Sequence, residues 1–173
     1  MKIHAAVRSL PVARELIAIR HPLRSRELLD LTTRLSAERD LWHGLVPWDE
    51  VAGLEPGRRW FDAVFQADAV DVWLIVWPPT SGTPVHDHDS AAGSLSMVAG
   101  SLVEYTYERG AGRESVRSIL SAGSSADFRP DHVHRVVNES PFDAISVHAY
   151  SPGGRAMRHY DLLEGELALG GAR

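Results

Sequence analysis

Residues 70–100 read VDVWLIVWPPTSGTPVHDHDSAAGSLSMVAG. An apolar run rich in β-branched and aromatic residues, VDVWLIVW, gives way at Pro78 and Pro79 to turn-forming residues, and a second run, SLSMVAG, follows. Short runs of this composition bounded by Pro, Gly, Ser and Asp read as strands. The pattern continues through SLVEYTY, SVRSIL, HRVVN and DAISVHAYS, and ERGAGRE, with Gly110 and Gly112, reads as a hairpin turn between Tyr107 and Val116. Many short strands with such punctuation predict a mainly β sandwich or barrel over about residues 60–165. Upstream, Leu16, Ile17, Ile19, Leu28, Leu29, Leu31, Leu35 and Leu41 recur at mixed three- and four-residue spacings. That predicts two helices broken near Pro22, within a helical part spanning about 1–55.

Composition narrows what such a fold can do. At 173 residues the chain has room for one domain with a real core, and no repeat, low-complexity tract or linker divides it, so one domain over 1–173 is expected. Hydrophobic residues at 44% and charged residues at 24% are ordinary for a globular protein. A formal charge of −5 offers no cationic field for nucleic acid or an anionic membrane, which leaves a small molecule as the expected partner. The absence of Cys excludes disulfides and thiolate metal sites, so any metal must be held by imidazole or carboxylate. The opening MKIHAAVRSLPVARELIAIRHPL lacks a continuous apolar core of secretory type, and a cytoplasmic location is expected.

The chemistry concentrates in histidines at alternating positions. If TPVHDHD is extended, His86 and His88 point to one face and Asp87 and Asp89 to the other. Imidazole suits several transition metals, so the pair does not name one. PDHVHRVVN repeats the spacing with His132 and His134, and one of these can complete a triad where distant strands converge on one interior point. In SVHAYS, Ser146, His148 and Tyr150 share one face and Ile145, Val147 and Ala149 the other. Taken alone, that strand predicts the aliphatic face inward, because buried hydrogen-bonding groups are costly unless they serve one another or a ligand.

These motifs together resemble the cysteine dioxygenase family of thiol dioxygenases, within the cupin superfamily. The resemblance runs from about Trp60 to Pro152 and rests on Trp77 ending a strand, HDH at 86–88, Gly100 in VAGSL, HRVVN at 134–138 and SVHAYSP at 146–152. It implies a cupin-type jelly-roll barrel preceded by helices. It implies Fe(II) held by His86, His88 and His134, with His132 excluded, and an outer trio of Ser146, His148 and Tyr150 in which the tyrosine approaches substrate. Family members that crosslink this tyrosine use a cysteine where this chain has Gly93, so Tyr150 cannot carry that thioether. Cysteine-specific members place a carboxylate-binding arginine on the strand before VDVWLIVW. An ungapped count from HDH lands on Trp60, with Arg59 beside it as the candidate substrate-binding residue, and one residue on a strand separates opposite faces. With Arg59 turned away, the pocket is expected to discriminate poorly for cysteine, and 3-mercaptopropionate or cysteamine to compete well.

Three neutral imidazoles would leave the full charge on a divalent metal and would favour an anionic ligand such as a thiolate. Oxygen transfer to its sulfur gives a sulfinic acid. A cupin enzyme acting on a non-thiol substrate and a non-catalytic cupin that binds a small molecule are the alternative readings. The tryptophans read as packing residues, Arg155 and Arg158 as solvated, and His4, His21, His43 and His159 as surface residues.

Overall fold

The computed structural model describes residues 1–108, 114–163 and 166–170; the turn expected at Gly110 and Gly112 lies outside the described residues. Five helices, α1 (Ala5–Arg8), α2 (Val12–Ala18), α3 (Ser25–Ser36), α4 (Arg39–Leu45) and α5 (Trp48–Ala52), precede the main strands. The break near Pro22 is present, but the expected pair of helices is divided further. Pro11 and Pro47 stand at helix starts, where proline's missing N–H is tolerated. The Trp42 indole of α4 folds back and donates to the Leu35 carbonyl near the end of α3, which also accepts the Glu38 N–H.

Among the described residues the strands form two six-stranded sheets, and every strand pairing is antiparallel. One sheet runs β1 (Lys2–Ile3), β2 (Trp60–Gln66), β3 (Asp71–Trp77), β10 (Ala144–Ser151), β5 (Ala92–Ala99), β8 (Ser125–Phe128). The other runs β12 (Glu166–Leu169), β11 (Arg158–Leu163), β4 (Val85–Asp87), β9 (Val133–Val137), β6 (Ser101–Tyr107), β7 (Glu114–Ser121). From β3 onward the chain crosses between the sheets at each step except the β6–β7 and β11–β12 hairpins, which is jelly-roll winding. Among the described residues the ladders stay in two separate sheets, so the expected barrel is realised as two sheets without a continuous hydrogen-bonded ring. Gly100, at φ 71, makes the turn from β5 to β6, and a Cβ there would meet Ala144 at 2.8 Å.

Strand β10 explains how the site is placed. Its residues Ile145, Val147 and Ala149 join Val72, Leu74 and Val76 of β3 in a core with Leu28, Leu31 and Leu35 of α3. The helical layer therefore buries the aliphatic face, and Ser146, His148 and Tyr150 face the space between the sheets. The solitary-strand expectation that the aliphatic face turns to that space is overturned, because it assumed only one buried face and the helices cover the second. Thr32 of α3 extends this layer by hydrogen bonds with Ser94 and Ser96 of β5. Between the sheets, Trp77, Leu95, Met97, Leu102 and Val136 close the apolar part of the interior. No helix among the described residues is long and apolar enough to cross a membrane.

Candidate metal centre

His86 lies on β4, His134 on β9 directly opposite it in the ladder, and His88 one residue beyond the end of β4. Their ligand atoms all lie within 4.8 Å of one another, and the three residues are 2%, 6% and 2% exposed for His86, His88 and His134. Asp87 points the other way, as the alternation predicted. It receives two hydrogen bonds from Arg158, each 2.9 Å, and one from the Tyr160 hydroxyl. Arg158 is thus an ion-pair residue, not a free solvated one. Asp89, two residues past the end of β4, sits at φ 54, a left-handed conformation that Asp tolerates, and its N–H returns to Asp87 Oδ1 at 3.0 Å.

Proton positions follow from the partners. The Pro84 carbonyl can only accept, so His86 donates from Nδ1 at 2.9 Å and its Nε2 carries the lone pair. His134 Nδ1 lies 2.7 Å from Glu104 Oε1, which likewise leaves Nε2 as the lone pair. That nitrogen faces His88 Nε2 at 3.2 Å. Burial, reinforced by the neighbouring histidines, holds His86 and His88 well below the usual imidazole pKa, and burial outweighs the Glu104 hydrogen bond at His134. Three neutral nitrogen donors gathered around one point, two of them fixed in the tautomer that aims a lone pair there, are the donor set that would hold a divalent metal ion.

Glu104 is the residue that sequence reasoning missed. It is 6% exposed on β6 and also accepts from His132 Nε2 at 3.0 Å. Burial raises its carboxyl, but the hydrogen bonds from His132 and His134 outweigh that and hold it well below the usual range. His132, Glu104 and His134 form a second group with metal-ligating spacing. Here His132 sits behind the triad, orienting the carboxylate. The available signal was a lone acid inside the apolar run SLVEYTY.

Across the gap, β10 and its neighbours form the facing wall. The Trp77 indole donates to Ser146 Oγ at 2.8 Å, Ser146 Oγ lies 2.9 Å from His148 Nε2, and His148 Nδ1 lies 3.0 Å from the Tyr150 hydroxyl. An indole can only donate, so the buried serine's own proton has His148 Nε2 as its acceptor. His148 then donates from Nδ1 to Tyr150, and the phenol keeps its proton for something else. Burial, with the nearby His134 and Arg59, drives His148 down to about 3, and burial raises the Tyr150 phenol although Arg59 opposes it. The Tyr150 and His88 ring centroids are 4.4 Å apart.

A cavity of about 180 Å³ joins the two walls and is lined by His86, His88, His134, His148 and Tyr150, with Arg59, Trp73 and Trp77. Arg59, the candidate beside the Trp60 of the ungapped count, thus faces the cavity. Phe61, two residues on, lines the cavity as well, as alternation along the strand requires. Arg59 donates to the Gly82 carbonyl at 2.8 Å and lies over the Trp77 ring, 5.5 Å from its centroid. Arg155, Asp71 and Met157 also line the cavity. Gly93 stands opposite Tyr150 in the ladder, where a Cβ would meet Phe128 at 2.1 Å.

Comparison with solved structures supports this fold. A double-stranded β-helix protein from Klebsiella pneumoniae subsp. pneumoniae MGH 78578 aligns at TM-score 0.51 and 21% identity, covering 65% of this chain and 93% of that one. A recombinant oxalate oxidase in complex with glycolate aligns at TM-score 0.52 and 15% identity, covering 61% of this chain and 56% of that one. At these identities the likeness shows the cupin fold. The sequence itself goes further, because residues 15–162 match the family described as cysteine dioxygenase type I. A match of that extent includes both walls of the site, and the chain belongs to the cysteine dioxygenase type I family.

Proposed function

We propose that the protein is an Fe(II)-dependent thiol dioxygenase that converts a small thiol and O2 into the corresponding sulfinic acid, with both oxygen atoms added to sulfur. The observation that carries this reading is the pairing of two unlike walls: three neutral imidazole donors on one side and a phenol with an uncommitted proton on the other. His86, His88 and His134 would hold the iron. Bound there, the ion would bring thiolate sulfur and dioxygen together and activate the oxygen.

The remaining steps belong to the chain's own residues. Arg59 offers a guanidinium for the carboxylate of an amino acid or mercapto acid, because Gly82 takes only one of its donors. Tyr150 donates its phenolic proton toward the reacting groups, and its raised pKa keeps it a donor at neutral pH. His148, kept neutral, holds that phenol by its Nδ1–H and is itself fixed by Ser146 and Trp77. The apolar rings of Trp73 and Trp77 limit water around the site.

With Arg59 in the cavity, the expected order of substrates changes. Cysteine and 3-mercaptopropionate, each with a carboxylate, should be oxidised well, and cysteamine poorly. The test is oxygen uptake together with sulfinate formation by protein of measured iron content, across these three thiols. Sulfinate must be measured because free iron and thiols consume oxygen without an enzyme. Sulfinate from the carboxylate-bearing thiols supports the reading; its absence with every thiol, in iron-replete protein, overturns it in favour of a non-thiol substrate or a binding role.

A further inference from the structure

Behind His88 and Tyr150 lies an aromatic ring with no part in the reading above. Phe128, at the end of the edge strand β8, is 4% exposed and does not line the cavity. Strand pairing sets it in one row with Gly93 and Tyr150: Gly93 is opposite Phe128 on one side and opposite Tyr150 on the other. The middle residue of that row has no side chain. A Cβ on Gly93 would stand 2.1 Å from Phe128 Cε2, 2.2 Å from Cζ and 3.0 Å from Tyr150 Cδ1, so the phenylalanine ring fills the volume that a side chain at position 93 would take.

The same ring touches the ligand wall. It stacks on His88 at 5.1 Å with 24° between planes and on His132 at 5.3 Å with 18°, and it lies 5.0 Å from His134 and 6.1 Å from Tyr150. His88 differs from its two partners in one respect. The Nδ1 atoms of His86 and His134 are held by hydrogen bonds to Pro84 and Glu104, whereas for His88 the hydrogen bond found among the described residues is the one through Nε2, on the ligand side. Outside the ligand set, the rings packed on it are those of Phe128 and Tyr150, the first stacked and the second tilted.

We propose that Phe128 is a positioning residue: its ring, seated over Gly93, sets the orientation of the His88 imidazole and the Tyr150 phenol relative to each other. The proposal rests on the reading of His88 as a ligand and Tyr150 as the substrate-facing donor. A ring held on both sides of a side-chain-free position restrains two groups at once without contacting substrate. Phe128→Leu is the informative change, because leucine ends at Cδ and so lacks the Cε2 and Cζ atoms that meet position 93.

Two measurements test it. In protein loaded with Co(II), Phe128→Leu should shift the visible d–d bands and speed metal loss to a chelator by about 10-fold, the low end of effects from groups supporting a ligand. Wild-type bands and wild-type loss in Phe128→Leu would overturn the proposal. In metal-free protein, Gly93→Ala should lower the melting temperature in the wild-type background and lower it much less beside Phe128→Leu, since the colliding atoms are then gone. Equal effects in both backgrounds would overturn the claim that Phe128 occupies that space. Failure of the metal reading gives a different result: Co(II) would bind wild type no better than His88→Ala, while the metal-free cycle still decides for or against Phe128.

Discussion

The two walls of the site are built from opposite hydrogen-bonding logic. On the β4–β9 side, acceptors behind the ring (Pro84 O, Glu104) take the Nδ1 protons and turn lone pairs inward. On the β10 side, a donor behind the chain (Trp77) pushes the polarity the other way and turns a proton inward at Tyr150. Imidazoles serve in both walls, so residue type does not distinguish a ligand from a proton-holding group. The partner behind each ring does.

The sharpest way to break this comparison is to remove a lone pair. His86→Ala, His88→Ala and His134→Ala should each abolish stoichiometric iron binding, measured by metal analysis after dialysis, whereas His132→Ala should retain most of it. Full iron in His134→Ala with loss in His132→Ala would transfer the ligand role to His132.

Removing the inward proton should act on turnover instead. Tyr150→Phe and His148→Ala should keep most of the iron and lose about 10- to 100-fold in sulfinate formation. Wild-type rates in both would place the SVHAYS face outside the reaction.

A smaller effect is expected from reversing the polarity behind a single ligand. Glu104→Gln keeps an acceptor but removes the charge, and its amide can present N–H to His134 in place of oxygen. Iron affinity should fall by about 10-fold. Unchanged affinity would show that the carboxylate orients His132 and His134 without tuning the donor.

A separate effect, read in folding stability and not in metal binding or turnover, is expected with pH in protein stripped of metal. His86, His88 and His148 are held neutral below the ordinary imidazole pKa of 6.5, so below that pH the unfolded chain takes up protons that the folded one refuses. Stability should fall as pH drops from 7 to 5, by about 2 kcal/mol for each such imidazole. Glu104, lowered in the fold, contributes stability that is present above its ordinary value of 4.5 and is lost only at lower pH. A denaturation series flat from pH 7 to 5 would mean the rings are solvated.

Alternation made much of this legible from sequence. The H-x-H pair, the second histidine cluster and the S-x-H-x-Y face follow from period two along a strand, and they converge in the interior because the winding alternates between sheets. What alternation does not carry is a change of phase. The bulge between Ala63 and Phe65 puts the two ends of β2 out of phase, and no turn residue at that point signals it. Nor does a strand pattern reveal its cross-strand neighbours: Glu104 reads as an odd acid in an apolar strand until β9 sets His134 beside it. The outer face of β10 misleads for a related reason, since its solvent or core character depends on helices more than 100 residues away in the chain.

Asp87, held between two of the imidazoles along the chain, has a consequence for metal entry. A strand of three residues has too few ladder bonds to stay ordered by itself, yet in the proposed role His86 on β4 and His88 just past it are both presented before any ion arrives. Arg158 and Tyr160 grip its central carboxylate from β11, while Pro84 and Asp89 fix the segment on either side. The conformational entropy of ordering the ligands is therefore lost when the chain folds and not when the ion binds. The rate of capture should then track access to the cavity, with no slow step for arranging the site.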